Sequence, residues 1–107
     1  MRAGTMSKIK VRTTLKDGIA TIRALIRHPM ENGFHKDETG KLVPAHYIKE
    51  LVCRHADRVV MICNWGPGIS KNPYLSFKIR TVRSGDPITL SWTDNLGQQD
   101  TVTAIVE

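Results

Sequence analysis

The feature that most constrains this fold is a mostly two-residue periodicity of apolar and polar side chains along seven short segments separated by turn residues, which is cleanest in the first two. Successive side chains of a strand point to opposite faces, so this alternation predicts strands with one buried face. No stretch shows the sustained 3.6-residue pattern that an amphipathic helix requires. The predicted strands cover residues 8–13, 19–27, 46–54, 58–65, 74–82, 88–93 and 101–106. Together they predict an all-β protein, an immunoglobulin-like antiparallel β-sandwich of about seven strands.

Turn residues and chain length predict how the strands are organised. Asp17-Gly18 predicts a tight hairpin between the first two strands, and His55-Ala56-Asp57 predicts another between the third and fourth. At 107 residues the chain is expected to form one domain, residues 1–107, with a core that needs no metal or disulfide. No apolar run is long enough to cross a bilayer and none resembles a signal-peptide core, so we expect neither membrane insertion nor an export signal in this chain.

The net charge of +6 is concentrated near the start of the chain, where residues 1–27 carry seven bases against one acid. Alternation with apolar residues on two antiparallel strands is expected to gather the bases on one face. We call this predicted set the basic patch: Lys8, Lys10, Arg12, Arg23 and Arg27. It is interpreted either as a docking surface for an acidic protein, a nucleic acid or a small anion, or as a solvated face that maintains solubility. Nucleic acid is the weaker interpretation because no aromatic residue interleaves with the bases.

The two cysteines are predicted to be inert thiols inside strands. With a hairpin turn centred on Ala56 and Asp57, Cys53 would lie opposite Val60, and Cys63 would fall on the other face of the sheet. That separation excludes a disulfide between them. The alternative is a reactive thiol, but neither cysteine belongs to a C-x-x-C motif or begins a helix, which are the settings that lower a thiol pKa.

No assembled catalytic or metal site can be recognised from the spacing of the histidines and acids. The side chains that could act as acids, bases or metal ligands in and near the longest polar segment are His28, Glu31, His35, Asp37, Glu38 and His46, with His55 farther along. The histidines lack the short spacings typical of metal ligands, and loop carboxylates usually keep ordinary pKa values. The sequence therefore predicts no catalytic residue, no metal and no cofactor. A metal site among the loop histidines remains the open alternative.

The longest polar segment, residues 28–47, reads H-P-M-E-N-G-F-H-K-D-E-T-G-K-L-V-P-A-H-Y, and we call it the signature loop. Two later motifs accompany it, N-P-Y-L-S-F at residues 72–77 and W-T-D-N-L-G at residues 92–97, and the chain opens with I-K-V-R-x-x-L-K-D-G from Ile9. In this order and register the motifs resemble the SoxZ family of the sulfur-oxidation system. The resemblance extends over nearly the whole chain.

The resemblance implies a non-catalytic role in thiosulfate oxidation. SoxZ-like proteins form a heterodimer with SoxY, the carrier subunit, whose flexible arm holds the sulfur compound on a cysteine and presents it to the enzymes of the pathway. The implied location is the periplasm, reached together with a signal-bearing partner. Neither a nucleic acid nor a membrane is implied as a partner. In isolation, the chain is expected to self-associate through the surface meant for its partner.

The partner interface is expected on the signature loop and where the loop of residues 66–73 joins the strand that follows it. The residues expected there are Met30, Glu31, Lys36, Asp37, Lys41, Leu42, Pro44, Tyr47, Asn72, Pro73 and Tyr74. For the prolines and glycines of the loop, a purely conformational role is the favoured alternative. Two rival functions stay open: a stand-alone immunoglobulin-like binding module, and a thiol enzyme that uses Cys63 or Cys53.

Overall fold

The computed structural model describes residues 8–107, and the first seven residues of the predicted domain lie outside the described residues. The described chain is all β and contains no helix, so it has none long and apolar enough to span a membrane. The strands are β1 Ile9–Lys16, β2 Ile19–Ile26, β3 Ile48–His55, β4 Arg58–Asn64, β5 Tyr74–Arg80, β6 Pro87–Asp94 and β7 Gln99–Ile105. Their number, order and type confirm the predicted immunoglobulin-like sandwich.

The strands form two antiparallel sheets, one in the order β1-β2-β5 and the other in the order β4-β3-β6-β7. The chain therefore crosses between sheets after β2, after β4 and again after β5. In an immunoglobulin constant domain the fourth strand joins the sheet of the first two strands. Here β4 is hydrogen-bonded to β3 instead, so the sheet of β1 and β2 has three strands and the other sheet has four. The crossing from β2 to β3 is made by the signature loop.

The hairpin between β1 and β2 has the geometry that its sequence predicts. Asp17 and Gly18 both have positive φ angles, 53° and 77°, as a two-residue type I′ turn requires. Glycine reaches this region at little cost, and aspartate tolerates it better than most residues. The turn sets the register that pairs Arg12 with Arg23 and Lys10 with Leu25.

The core lies between the two sheets and is made by the inward-facing residues of the alternating strands. Its fully buried members include Ala20, Ile22, Ile26, Ile48, Leu51, Cys53, Ile88 and Leu90. Trp92 is also buried, and its ring packs edge-on against His28 with ring centroids 5.0 Å apart. The two cysteines lie on neighbouring strands of one sheet, so the sandwich is held by apolar packing without an inter-sheet disulfide.

The prediction that the two cysteines lie on opposite faces of the sheet is wrong. A β-bulge between Cys53 and Arg54 shifts the β3–β4 register, so that Cys53 pairs with Met61 and Cys63 pairs with Leu51. Cross-strand partners share a face, which places both cysteines on the core side of the sheet. They lie two positions apart along the ladder and both are free thiols.

Candidate functional site

The signature loop is an irregular hairpin and carries backbone hydrogen bonds of its own. At its base, Glu31 and His46 exchange two bonds, of 2.7 Å and 2.9 Å. Nearer the tip, the amide of Val43 donates to the carbonyl of His35 (2.7 Å). These bonds satisfy polar backbone groups that a structureless connection would leave to water. The segment contains no named strand, so it is a long loop between β2 and β3 that isolated bridges hold in order.

The tip of the hairpin is a turn built around Asp37. The amide of Gly40, whose φ is 82°, donates to the Asp37 carbonyl (3.0 Å). The Asp37 carboxylate accepts bonds from the Thr39 hydroxyl (2.6 Å), the Thr39 amide (2.8 Å) and the Lys41 amide (3.1 Å). These bonds, the Thr39 hydroxyl foremost, lower the pKa of Asp37. The carboxylate therefore shapes the turn and is poorly suited to act as a general base.

The first end of the hairpin is held by Asn72. Its side-chain oxygen accepts a bond from the His28 amide (3.0 Å), and its own amide donates to the His28 carbonyl (3.0 Å). Asn72 has a φ of 52°, a left-handed conformation that asparagine tolerates better than most residues. The N-P-Y motif thus provides the anchor for residue 28.

The second end is held in the same way by Asn95, from the turn between β6 and β7. Its side-chain oxygen accepts a bond from the Tyr47 amide (2.8 Å), and its side-chain nitrogen donates to the Ala45 carbonyl (2.9 Å). Its backbone amide donates to the Tyr47 carbonyl (3.0 Å). The motifs that were separate in the sequence therefore meet at the base of the signature loop.

Between these two anchors, the fully buried carboxylate of Asp94 joins both arms of the hairpin to the sandwich. One oxygen accepts bonds from Nε2 of His28 (3.1 Å) and from Nε2 of His46 (2.7 Å). The other accepts the amides of Leu96 (3.0 Å) and Gln98 (2.8 Å). We call this arrangement the Asp94 clasp. Burial alone would raise the pKa of Asp94, but these hydrogen bonds outweigh it and lower the pKa.

The protonation of His28 follows from its neighbours. His28 is buried, and burial, opposed by the hydrogen bond to Asp94, lowers its pKa. Its Nδ1 accepts a bond from the Met30 amide (3.1 Å), so the proton of the neutral ring resides on Nε2 and points at Asp94. His28 is therefore a buried histidine with a structural role, although it lies in a segment that is polar in sequence.

The Asp94 clasp also tests the open alternative of a metal site, since the ligand atoms of His28, His46 and Asp94 lie within 4.8 Å of one another. A histidine that binds a metal presents a lone pair to the ion and uses its other nitrogen to donate a hydrogen bond. His28 has the opposite polarity, because its Nδ1 faces a backbone N–H. The arrangement fits a hydrogen-bonded clasp and does not fit a metal centre.

The residues expected at the partner interface differ in exposure. Lys36, Asp37, Lys41, Leu42, Pro44, Asn72 and Tyr74 are exposed, Glu31 and Tyr47 are half-buried, and Met30 and Pro73 are buried. Met30 points inward because its backbone is left-handed (φ 48°), and its sulfur accepts a bond from the Ile48 amide (3.4 Å). Met30 and Pro73 therefore shape the surface from below instead of forming it.

Sequence reasoning missed the most exposed aromatic side chain of the loop. Phe34 is 82% exposed and lies in the same hairpin as Leu42, which is 58% exposed. It also missed the roles of Asp94 and Asn95, although both stand in the W-T-D-N-L-G motif. The signal that could have identified them is chemical: buried loop ends need side-chain partners, and asparagine and aspartate after a strand provide them.

The five bases of the predicted basic patch lie side by side on the outer face of β1 and β2. The register places Arg12 opposite Arg23, and the amide of Arg27 donates to the carbonyl of Lys8 (2.9 Å), so the ends of the patch also meet. All five side chains are exposed: Lys8, Lys10, Arg12, Arg23 and Arg27.

The cysteines are poorly disposed to react. Burial, with a further contribution from Cys63, raises the pKa of Cys53 to about 11. Burial also raises the pKa of Cys63. At neutral pH only about one Cys53 in ten thousand would be a thiolate, the nucleophilic form of a thiol.

Comparison with known families agrees with the motifs that meet at the loop base. The sequence matches the family model of the sulphur oxidation protein SoxZ over residues 9–104. The chain belongs to the SoxZ family. Membership identifies it as a sulfur oxidation protein, as the resemblance implied. No curated protein matches the sequence.

Proposed function

We propose that this SoxZ-family chain is the non-catalytic half of a heterodimer with a SoxY-like carrier subunit, and that the signature loop is its main contact. The observation that carries the proposal is a hairpin fixed at both ends by buried or paired side chains, with an exposed aromatic residue, Phe34, in its outer part. Such a hairpin presents a surface without contributing a reactive group.

The exposed side chains of the hairpin have the chemistry of an interface. Phe34 is 82% exposed, the highest value among the exposed large hydrophobic side chains of residues 8–107, and Leu42 in the same hairpin is 58% exposed. A partner that covers them would remove this apolar surface from water. Aromatic anchors contribute much of the energy at protein interfaces. Lys36 and Lys41 flank the turn and would form the polar rim.

The fixed base of the hairpin makes such an interface more favourable. A flexible loop loses conformational freedom on binding, and each immobilised side chain costs about 0.5–1.5 kcal/mol. Here Asn72, Asp94 and Asn95 have already ordered the backbone at both loop ends. The free chain thus holds the signature loop close to a binding conformation.

Two observations favour a sulfur cargo held by the partner. Cys53 and Cys63 are fixed in strands with raised pKa values, so neither can reach into another protein. Residues 99–105 form β7, and the buried Val106 that follows exchanges backbone bonds with Gly85 and Asp86. A swinging arm needs a mobile tether, which this segment is not. The proposal places the complex in the periplasm, where fractionation of the native host should find the chain.

The test is co-expression with the SoxY-like subunit of the same host, followed by size-exclusion chromatography at about micromolar concentration, where a specific pair of nanomolar affinity stays associated. We expect one heterodimer peak from the unmodified chain. The double variant Phe34→Ala, Leu42→Ala should weaken pairing by at least about tenfold, equivalent to about 1.4 kcal/mol.

The matched control is Val59→Ala, which removes an exposed apolar side chain from β4, outside the signature loop. It should pair as the unmodified chain does. Elution of the two unmodified subunits as separate monomers would refute the proposal. Equal affinity of the Phe34, Leu42 variant and the control would remove the signature loop from the interface.

A further inference from the structure

The outer face of the three-stranded sheet is more basic than the predicted patch. The strand registers bring further bases from the end of β1 and from β5 onto the same face. We call the complete set the basic face: Lys8, Lys10, Arg12, Lys16, Arg23, Arg27, Lys78 and Arg80. The rest of the sequence contains eight bases against ten acids, so this one face accounts for the net positive charge of the chain.

The cross-strand rows of this face contain bases and no acids. The rows are Lys10–Leu25–Tyr74, Arg12–Arg23–Ser76, Thr14–Thr21–Lys78 and Lys16–Ile19–Arg80. Rows on one face lie about 7 Å apart and strands about 4.8 Å apart, so neighbouring charges fall within the Debye length of about 10 Å at 0.1 M salt. The cations therefore act on an approaching partner as one field.

This charge arrangement opposes the stability of the sheet. Arg12 and Arg23 are direct cross-strand partners, and like charges in that position repel. Within residues 8–107 every ion pair joins a histidine to a carboxylate, so no side-chain nitrogen of the basic face lies within 4 Å of a carboxylate oxygen of these residues. An acid close to this face is Asp100, whose carboxylate accepts a bond from the backbone amide of Lys8 (2.8 Å). Features that cost stability without a structural benefit are characteristic of functional surfaces.

The other sheet provides an internal comparison. Its central outer row, Ile62–Val52–Ser91–Thr101, has no charge, and the two flanking rows, Val59–Arg54–Thr89–Thr103 and Asn64–Glu50–Thr93–Gln99, contain one base and one acid. A general need for solubility would distribute charge over both faces. The concentration on one sheet points to a partner for that sheet.

We propose that the basic face is a docking surface for an acidic protein, namely an enzyme that acts on the carrier-bound sulfur, and that it is separate from the signature loop. The inference rests on the proposed function for the identity of the complex. An enzyme that visits repeatedly needs fast, reversible association, and complementary charge provides this by raising the association rate.

A protein fits this face better than a small anion or a nucleic acid. An anion site needs cations that converge in a concavity. Lys8 and Arg27 line one at the end of the face, together with Lys71, whereas the exposed bases between them and Arg80 are spread over three strands of the sheet. Exposed apolar groups stand among the bases, namely Ile19 and Leu25 at 39% and Tyr74 at 61% exposure. They offer the apolar contacts of a protein interface, and a single tyrosine does not make a stacking platform for bases.

The test uses the purified heterodimer as analyte over each immobilised sulfur-oxidation enzyme of the same host. The test variant is Lys10→Glu, Arg23→Glu, on the basic face. The control variant is Lys49→Glu, Arg54→Glu, which makes the same change in net charge at exposed positions of β3, in the other sheet. We expect at least one enzyme to bind, with an association rate that falls about tenfold or more in the test variant and less than about twofold in the control.

Salt and a competing ligand complete the test. The association rate of the unmodified complex should fall steeply between about 0.02 M and about 0.5 M salt. Equal rates for the two variants, or a rate independent of salt, would overturn the inference. Tighter binding to a duplex DNA of about 20 base pairs than to any of the enzymes would overturn it as well.

The outcome is separable from that of the proposed function. If the unmodified chain forms no heterodimer, the proposed function fails, and the same titration with this chain alone still decides the role of the basic face. If the Lys10, Arg23 variant loses the heterodimer itself, the basic face belongs to the pairing surface and the inference of a separate enzyme site is overturned.

Discussion

Replacement of Asp94 by asparagine should destabilise the protein far more than an ordinary polar substitution, because it breaks the Asp94 clasp. Asparagine retains one oxygen, which can still accept the amides of Leu96 and Gln98, but it presents an NH₂ group to the two histidines. His46 can adapt by shifting its proton to Nδ1. His28 cannot do so without facing the Met30 amide with a second donor.

The magnitude follows from these contacts. A buried donor without an acceptor costs about 1–3 kcal/mol, and loss of a charge-assisted bond costs about 1.5–3 kcal/mol. Allowing for relaxation, we expect Asp94→Asn to lower the free energy of unfolding by about 3 kcal/mol, a large part of the stability of a typical domain. With a urea m-value of about 1.5 kcal/mol/M, the midpoint should shift by about 2 M.

The assay is urea unfolding followed by tryptophan fluorescence, since Trp92 packs against His28 and reports on the clasp. The control is Glu38→Gln at the exposed tip, which should change stability by less than about 0.5 kcal/mol. Hydrogen exchange should locate the effect, with the amides of Glu31 and His46 losing protection before the core strands. A change below about 1 kcal/mol for Asp94→Asn, or a uniform loss of protection, would refute the reasoning.

Four other outcomes follow from the structure. Phe34→Ala should leave the free energy of unfolding unchanged within about 0.5 kcal/mol by urea titration, because the side chain is 82% exposed. Arg23→Glu should raise the melting temperature slightly in calorimetry by replacing repulsion from Arg12 with attraction. Cys53 in the native fold should react with a thiol reagent far more slowly than in the urea-unfolded chain, since its pKa is raised to about 11. In the unfolded chain His28 takes up a proton near its ordinary pKa of 6.5, whereas burial lowers its pKa in the folded protein. The free energy of unfolding should therefore fall as the pH drops below about 6.5, and it should fall less steeply in His28→Gln.

The strand pattern could be predicted from sequence because it depends on local signals. Alternation identifies a half-buried strand wherever it occurs, and an Asp-Gly pair specifies its own turn. The register of β3 and β4 could not be predicted in the same way. A bulge opposite Cys53 leaves Val60 of β4 without a partner in the ladder and moves Cys63 to the core face. Residues 59–63 are all apolar, so no alternation in β4 marks the position of the bulge.

The site was harder to predict because its contacts join distant parts of the chain. His28 looks like a loop residue, yet it is buried against Asp94, which lies 66 positions away. Met30 looks like an exposed apolar residue, yet a left-handed backbone turns it into the core. Family motifs identified the correct residues but not their roles: Asn72 and the D-N pair proved to be anchors of the signature loop.

The distinction between anchors and exposed residues bears on how a partner would recognise this protein. If the hairpin were held only at its backbone ladder, pairing would have to order Phe34 and Leu42 at the moment of contact, and affinity would suffer. Because Asp94 lies in the core and still fixes both arms, the conformation of the hairpin is coupled to the folding of the sandwich. Asp94→Asn should therefore weaken association with the proposed carrier subunit although Asp94 is fully buried in the free chain, and the loss should exceed the fraction of unfolded chain. A loss no larger than that fraction would mean that the signature loop keeps its shape without the clasp.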